Sequence, residues 1–201
     1  MYIIFAFNAL AADLSVLVLS QKSQPVADSY IELYSASLPP PPPQKAIIDQ
    51  VNKEFVPLSS AVSVGSIVTF PNSDNIHHQI YSFSKIQSFD LPLYESSHTQ
   101  EITFTKGGIV QMGCNIHDWM LSFLYVYESP FFAQSNAQGL VTFTDVPPGE
   151  YELRIWSPLL KNNQKIITQN ITITDNQQIT QTIKVRKKIR RKPRIENTSY
   201  E

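Results

Sequence analysis

Five consecutive prolines occupy positions 39–43. Each lacks a backbone N–H and fixes φ, so the run takes the extended polyproline conformation and cannot enter a sheet. It therefore parts the strand-forming segments before it from those after it. A proline run can be the ligand of a recognition domain, but as a spacer between folded pieces it needs no partner. A rigid linker over 39–43 is the expectation.

On both sides of that run the pattern is β. Residues 14–19 are dense in Leu and Val, Pro25 falls in the turn that follows, and residues 30–34 alternate apolar with polar. Downstream, segments 46–48, 54–57, 61–64, 67–70, 76–83, 101–104, 109–114 and 120–127 read as strands, with 89–94 irregular around Pro92. After Pro130, segments 140–143, 151–156, 171–173 and 179–185 do too, and Tyr151, Leu153 and Ile155 share the inward face. Apolar residues nowhere recur at three-and-four spacing over a helix length. With 42% hydrophobic residues, the 201-residue chain can bury a sizeable core, and it reads as all-β. Segment 120–127 is apolar on both faces, as in a strand covered twice.

Net charge of −1 conceals an asymmetry. Eight of the sixteen basic residues lie in 184–194, leaving residues 1–183 with eight bases and fifteen acids, a net of −7. Residues 187–201 are read as a solvated, disordered basic tail, which an anionic membrane or an acidic partner can also attract. Nothing aromatic is interleaved to stack on bases, so no nucleic-acid partner is expected. At the other end, the apolar residues 2–7 and the small residues 9–11 look like the end of an export leader over 1–11, truncated because no Lys or Arg precedes it. These residues can equally be a first strand. Export implies a periplasmic protein, and no segment has the roughly 20 apolar residues of a membrane span.

The chemistry-bearing stretch is 113–120. Cys114 is the single cysteine of the chain, which excludes an internal disulfide and a multi-thiolate zinc site. His117 and Met120 follow at intervals of three, in a short loop between two strands. Upstream, strand parity places His78 with Ile76 and Ile80 on one face and His77 with Gln79 on the other, so His78 is inward and His77 flanks it. By the same parity Val110, Met112 and Cys114 face one way. His98 is expected on the surface. Taken singly, these are a core histidine, a small buried hydrophobe, a loop histidine and a core methionine. Together they offer two imidazoles, a thiolate and a weak thioether, a set that selects copper and suits electron transfer. Ile80, Met112 and Phe123 are expected to wall the sulfur. No paired carboxylates, no serine–histidine–acid order and no glycine-rich phosphate loop stand out, so the chain is not read as an enzyme.

The C-x2-H-x2-M spacing of Cys114, His117 and Met120 resembles the ligand loop of the cupredoxins, the blue copper proteins such as plastocyanin and amicyanin. Gln79 stands where that family usually has an asparagine that braces the loop, and its longer amide has the reach to do the same. Residues 70–74, His77-His78, 81–83 and 113–120 look more closely like plastocyanin-like proteins assigned to methylamine utilisation. This resemblance implies a Greek-key sandwich over 44–129 holding one type 1 copper ion on His78, Cys114, His117 and Met120. It also implies single-electron transfer to redox partner proteins through the edge of His117. Trp119, Pro130 and Phe131 are candidates for an apolar docking patch, though Trp119 suits a place between two modules equally well. Residues 140–153, with Val146-Pro147-Pro148-Gly149, resemble the carboxypeptidase-regulatory-like module, an Ig-like or transthyretin-like sandwich. Its opening strands are missing after Pro130 but present at 14–34, so one discontinuous sandwich over 12–38 and 131–186 is expected. Two other functions fit the same residues: copper delivery without redox turnover, and a structural interaction module with a vestigial site.

Overall fold

The computed structural model describes residues 11–96 and 98–187. The expected leader over 1–11 and basic tail over 187–201 fall, apart from Ala11 and Lys187, outside the described residues. Among the described residues there are seventeen strands and no helix. It follows that no helix there is long and apolar enough to cross a membrane. The chain divides into two compact units, one of residues up to Pro39 together with Ser129–Arg186, the other centred on Pro40–Glu128.

The first unit begins with β1 (Ala12–Ser20) and β2 (Tyr30–Tyr34). The second comprises β3 (Lys45–Ile47), β4 (Asp49–Val51), β5 (Glu54–Val56), β6 (Ser59–Ser63), β7 (Ser66–Pro71), β8 (Tyr81–Ser84), β9 (Gln87–Asp90), β10 (Thr99–Phe104), β11 (Gly108–Gly113) and β12 (Leu121–Tyr127). The chain then returns to the first unit with β13 (Phe132–Gln134), β14 (Leu140–Val146), β15 (Gly149–Trp156), β16 (Ile167–Ile173) and β17 (Gln177–Ile183).

In the first unit β1 lies between β14, antiparallel, and β17, parallel. A second sheet runs β13-β2-β15-β16. Alternation fixes which residues are buried: Leu14, Val16 and Val18 on β1, and Tyr151, Leu153 and Ile155 on β15. Gly139 is required where it stands. Its φ is +73° and a Cβ there would lie 2.5 Å from the Val18 carbonyl oxygen, while its own carbonyl accepts the Val18 N–H at 2.8 Å.

The second unit has sheets β10-β7-β3 and β6-β12-β11-β8-β9 and a separate two-stranded hairpin, β4-β5. Val68 and Phe70 of β7, Phe104 of β10, Val110 and Met112 of β11, and Leu124 and Val126 of β12 form one buried cluster that also holds Cys114 and Met120. The last of the prolines lie against this unit, where Ser63 Oγ donates to the Pro42 carbonyl at 2.7 Å.

Three local expectations change. The strand expected over 76–83 is shortened to Tyr81–Ser84, because residues 72–76 spend their polar groups on side-chain bonds and His78 pairs singly with Tyr94. The segment expected to be irregular contains the end of β9, which hairpins onto β8. Phe123 does not join the cluster around Cys114: it alternates with Leu124 and Val126 and is buried on the opposite face of β12.

Candidate metal centre

Cys114 directly follows β11 and is 2% exposed. Gly113 before it allows a close approach, since a Cβ there would stand 2.7 Å from the Tyr81 hydroxyl. The loop that follows is closed by the Met120 N–H donating to the His117 carbonyl at 2.9 Å. It is also tied across to the upstream segment. Asn115 Nδ2 donates to Gln79 Oε1 at 2.7 Å, and Gln79 Nε2 in turn donates to Asp90 at 2.5 Å. Gln79 thus reaches the loop, the role its amide was expected to fill.

His78 is fully buried while His77 is exposed, the division that strand parity demands. Its backbone exchanges two hydrogen bonds with Tyr94, at 3.1 and 2.9 Å. Tyr94 is held in turn: its hydroxyl donates to the Phe70 carbonyl at 2.9 Å and accepts from Gln50 Nε2 at 2.6 Å, and Asn72 Nδ2 donates to its carbonyl at 3.0 Å. Burial pushes the Tyr94 hydroxyl above its ordinary range, so it stays neutral and able to donate.

The His78 ring is oriented by Asp74, whose Oδ2 lies 2.7 Å from Nε2. A carboxylate only accepts, so Nε2 carries a proton, and in the neutral ring Nδ1 is the nitrogen left free. Nδ1 lies 4.0 Å from Cys114 Sγ. Burial would raise the Asp74 carboxyl, but bonds from the Lys53 N–H, the His78 ring and the Asn52 N–H outweigh it and hold the group below its ordinary value. Asp74 is therefore a fixed anion behind the ring.

His117 completes the group. The ligand atoms of His78, Cys114 and His117 all lie within 4.8 Å of one another. Its ring is 5.0 Å from that of His78 and 5.1 Å from that of Trp119, centroid to centroid. His117 Nδ1 is buried and has no hydrogen-bond partner among the described residues, an arrangement that costs free energy unless something else pairs with that nitrogen. Burial keeps the imidazole below its ordinary pKa, with His78 and Lys53 acting the same way and Asp74 opposing, so the ring is held in its neutral, ligating form. Met120 is 2% exposed in the same cluster as Cys114. Two imidazoles, one thiol and a nearby thioether fit one soft or borderline ion, and copper suits that donor set.

Other expectations resolve plainly. His98 is exposed. Trp119 is half-buried within the second unit, where its indole N–H donates to the Lys53 carbonyl at 3.0 Å. Phe131 belongs to the first unit, edge-on to Phe143 at 6.3 Å. The residues that the sequence reading missed are Asp74, Asn115, Tyr94 and the Asn52–Lys53 turn. Only Asp74 leaves a trace in the sequence, as an acid four residues before the inward histidine.

No protein-family model and no curated protein matches the sequence. Among solved structures, an oxidised amicyanin mutant is 20% identical, over 41% of this chain and 82% of that one, with a TM-score of 0.39. A purple cupredoxin from Nitrosopumilus maritimus is 26% identical, over 41% of this chain and 99% of that one, with a TM-score of 0.38. A copper-containing nitrite reductase from Thermus scotoductus is 23% identical, over 56% of this chain and 28% of that one, with a TM-score of 0.41.

Proposed function

We propose that this protein is a type 1 copper protein of the plastocyanin-like kind, a periplasmic carrier of single electrons and not an enzyme. His78, Cys114, His117 and Met120 are the ligands in this reading. The observation that carries it is the convergence of the two imidazoles and the thiol within 4.8 Å, with one imidazole fixed by an anion and the other left with an unpartnered buried nitrogen.

Copper bound there would supply reversible one-electron chemistry between its two oxidation states. What the chain does is hold the donors still. Cys114 would be the ion's thiolate ligand. Asp74 keeps the Nε2 proton on His78, which leaves Nδ1 free for the ion. Ile80, Met112 and Val110, all fully buried, share one apolar cluster with Cys114, which keeps water away from it. His117 is half-buried, and a redox partner protein would dock over its exposed part. Ile116, next in the chain, is 49% exposed and adds apolar surface there. The first unit is read as a carboxypeptidase-regulatory-like sandwich over 12–38 and 131–186, with the copper domain over 44–129 inserted in it and 39–43 as the linker.

The test is spectroelectrochemistry of the copper-loaded full chain beside a transfer assay to a copper-accepting protein. A reversible one-electron couple with the ion retained supports the carrier. A colourless protein that surrenders its ion to the acceptor would make it a delivery protein. Metal content that is nil, and unaltered in Cys114→Ser, would leave a structural module.

A further inference from the structure

The hairpin β4-β5 is a two-stranded sheet of its own, joined to the chain just past β7 by a single bridge between Gln50 and Asn72. A lone two-stranded hairpin is marginal on its own, and this one is anchored by Phe55, 3% exposed, and by Gln50, fully buried. Its turn residues, Asn52 and Lys53, both take the left-handed conformation, with φ of 53° and 60°. Asn is at ease there, but Lys occupies a position where glycine is usual. The turn ends beside the candidate metal centre and touches it on two sides.

On one side, the N–H groups of Asn52 and Lys53 donate to the two oxygens of Asp74, at 2.5 and 2.8 Å. The same carboxylate holds His78 Nε2. On the other side, the Lys53 carbonyl accepts the indole N–H of Trp119, whose ring lies 5.1 Å from that of His117. One peptide turn is thus joined to both histidines, to each through one intermediary. Asp49 fastens the same hairpin to the Asp74 loop by accepting from Ser73 Oγ at 2.7 Å.

We infer that the Asn52–Lys53 turn is a shared positioning clamp for the two histidines, which sets the angle and spacing of His78 and His117 before any ion binds. Asp74 and Trp119 are its two arms, positioning residues that act through the imidazoles. The proposal rests on the copper reading above for one of its readouts and is independent of it for the other.

The independent readout uses the copper-free full chain. Asp74→Asn removes the anion from one arm without touching Trp119. The clamp predicts that exchange of the Trp119 indole N–H with solvent speeds up about tenfold, the loss of roughly one good hydrogen bond. In the reverse direction, Trp119→Phe keeps a ring beside His117 but cannot donate to Lys53, and the His78 Nε2–H resonance should shift and exchange faster. Should one variant fail to fold, the other still decides. In copper-loaded protein, each single variant should move the reduction potential, and the double variant should move it by less than the sum. Arms that respond independently, with unchanged exchange across the turn and additive potentials, would overturn the clamp. A wild-type chain that binds no copper would overturn the function proposed above, and the exchange measurements would still decide the clamp.

Discussion

The two units differ in how they treat buried polar atoms. In the first, polar groups inside the fold are matched to one another. Glu32, 1% exposed, accepts the Ser129 N–H at 2.9 Å and faces Arg154 at 3.5 Å, whose guanidinium lies 3.7 Å over the Tyr34 ring. Ser135 donates to Val26 and accepts from Ser29, and the Trp156 indole N–H reaches the Asn163 carbonyl. In the second, the described residues include three buried side-chain atoms without a partner, on Gln50, Ser60 and His117. Gln50 supports the Tyr94 that pairs with His78, and His117 is itself in the donor group. Satisfied polar interiors specify a fold, whereas an unsatisfied donor set marks where a fold is kept ready for something else.

That contrast can be broken from either side. The largest effect is expected at Glu32→Ala, which leaves Arg154 without its buried partner and the Ser129 N–H without an acceptor. Urea denaturation should show a loss of about 3 kcal/mol, with copper uptake intact. Next comes Gly139→Ala, which puts a Cβ against the Val18 carbonyl in a left-handed backbone. It should cost about 2 kcal/mol, again without altering metal binding.

Tyr94→Phe lies in the second unit and should cost about 1–2 kcal/mol, because the Gln50 amide loses one of its two acceptors and the Phe70 carbonyl loses the hydroxyl donor. Unlike the first two, it should also loosen His78 and speed copper release. His117→Ala has the smallest effect on the fold. It removes a nitrogen that has no partner, so copper-free stability should change by less than about 1 kcal/mol while copper binding is lost. A large loss of copper-free stability in His117→Ala would mean that the ring is a structural member of the core, and the contrast between the units would fail.

Much of this was legible in period-two alternation. It separates buried His78 from exposed His77, puts Met112 and Cys114 in one cluster, and marks Tyr151, Leu153 and Ile155 as inward. Phe123 shows the limit of reading apolar density without parity, since a strand buried on both faces offers two equivalent sets of large residues. β13 escaped notice because it has three residues and no alternation long enough to register. The Asn52–Lys53 turn escaped for a different reason. What it contributes is two N–H groups and a carbonyl, and every residue has those; only the path of the chain decides what they meet.

Whether Cys114 and the two histidines hold one copper ion is decided by the visible spectrum of the copper-loaded full chain. An intense blue thiolate-to-copper band is expected, one that bleaches reversibly on reduction and is absent in Cys114→Ser. Copper uptake without that band, with the Cys114 thiol still open to alkylation, would mean that these side chains do not hold the ion.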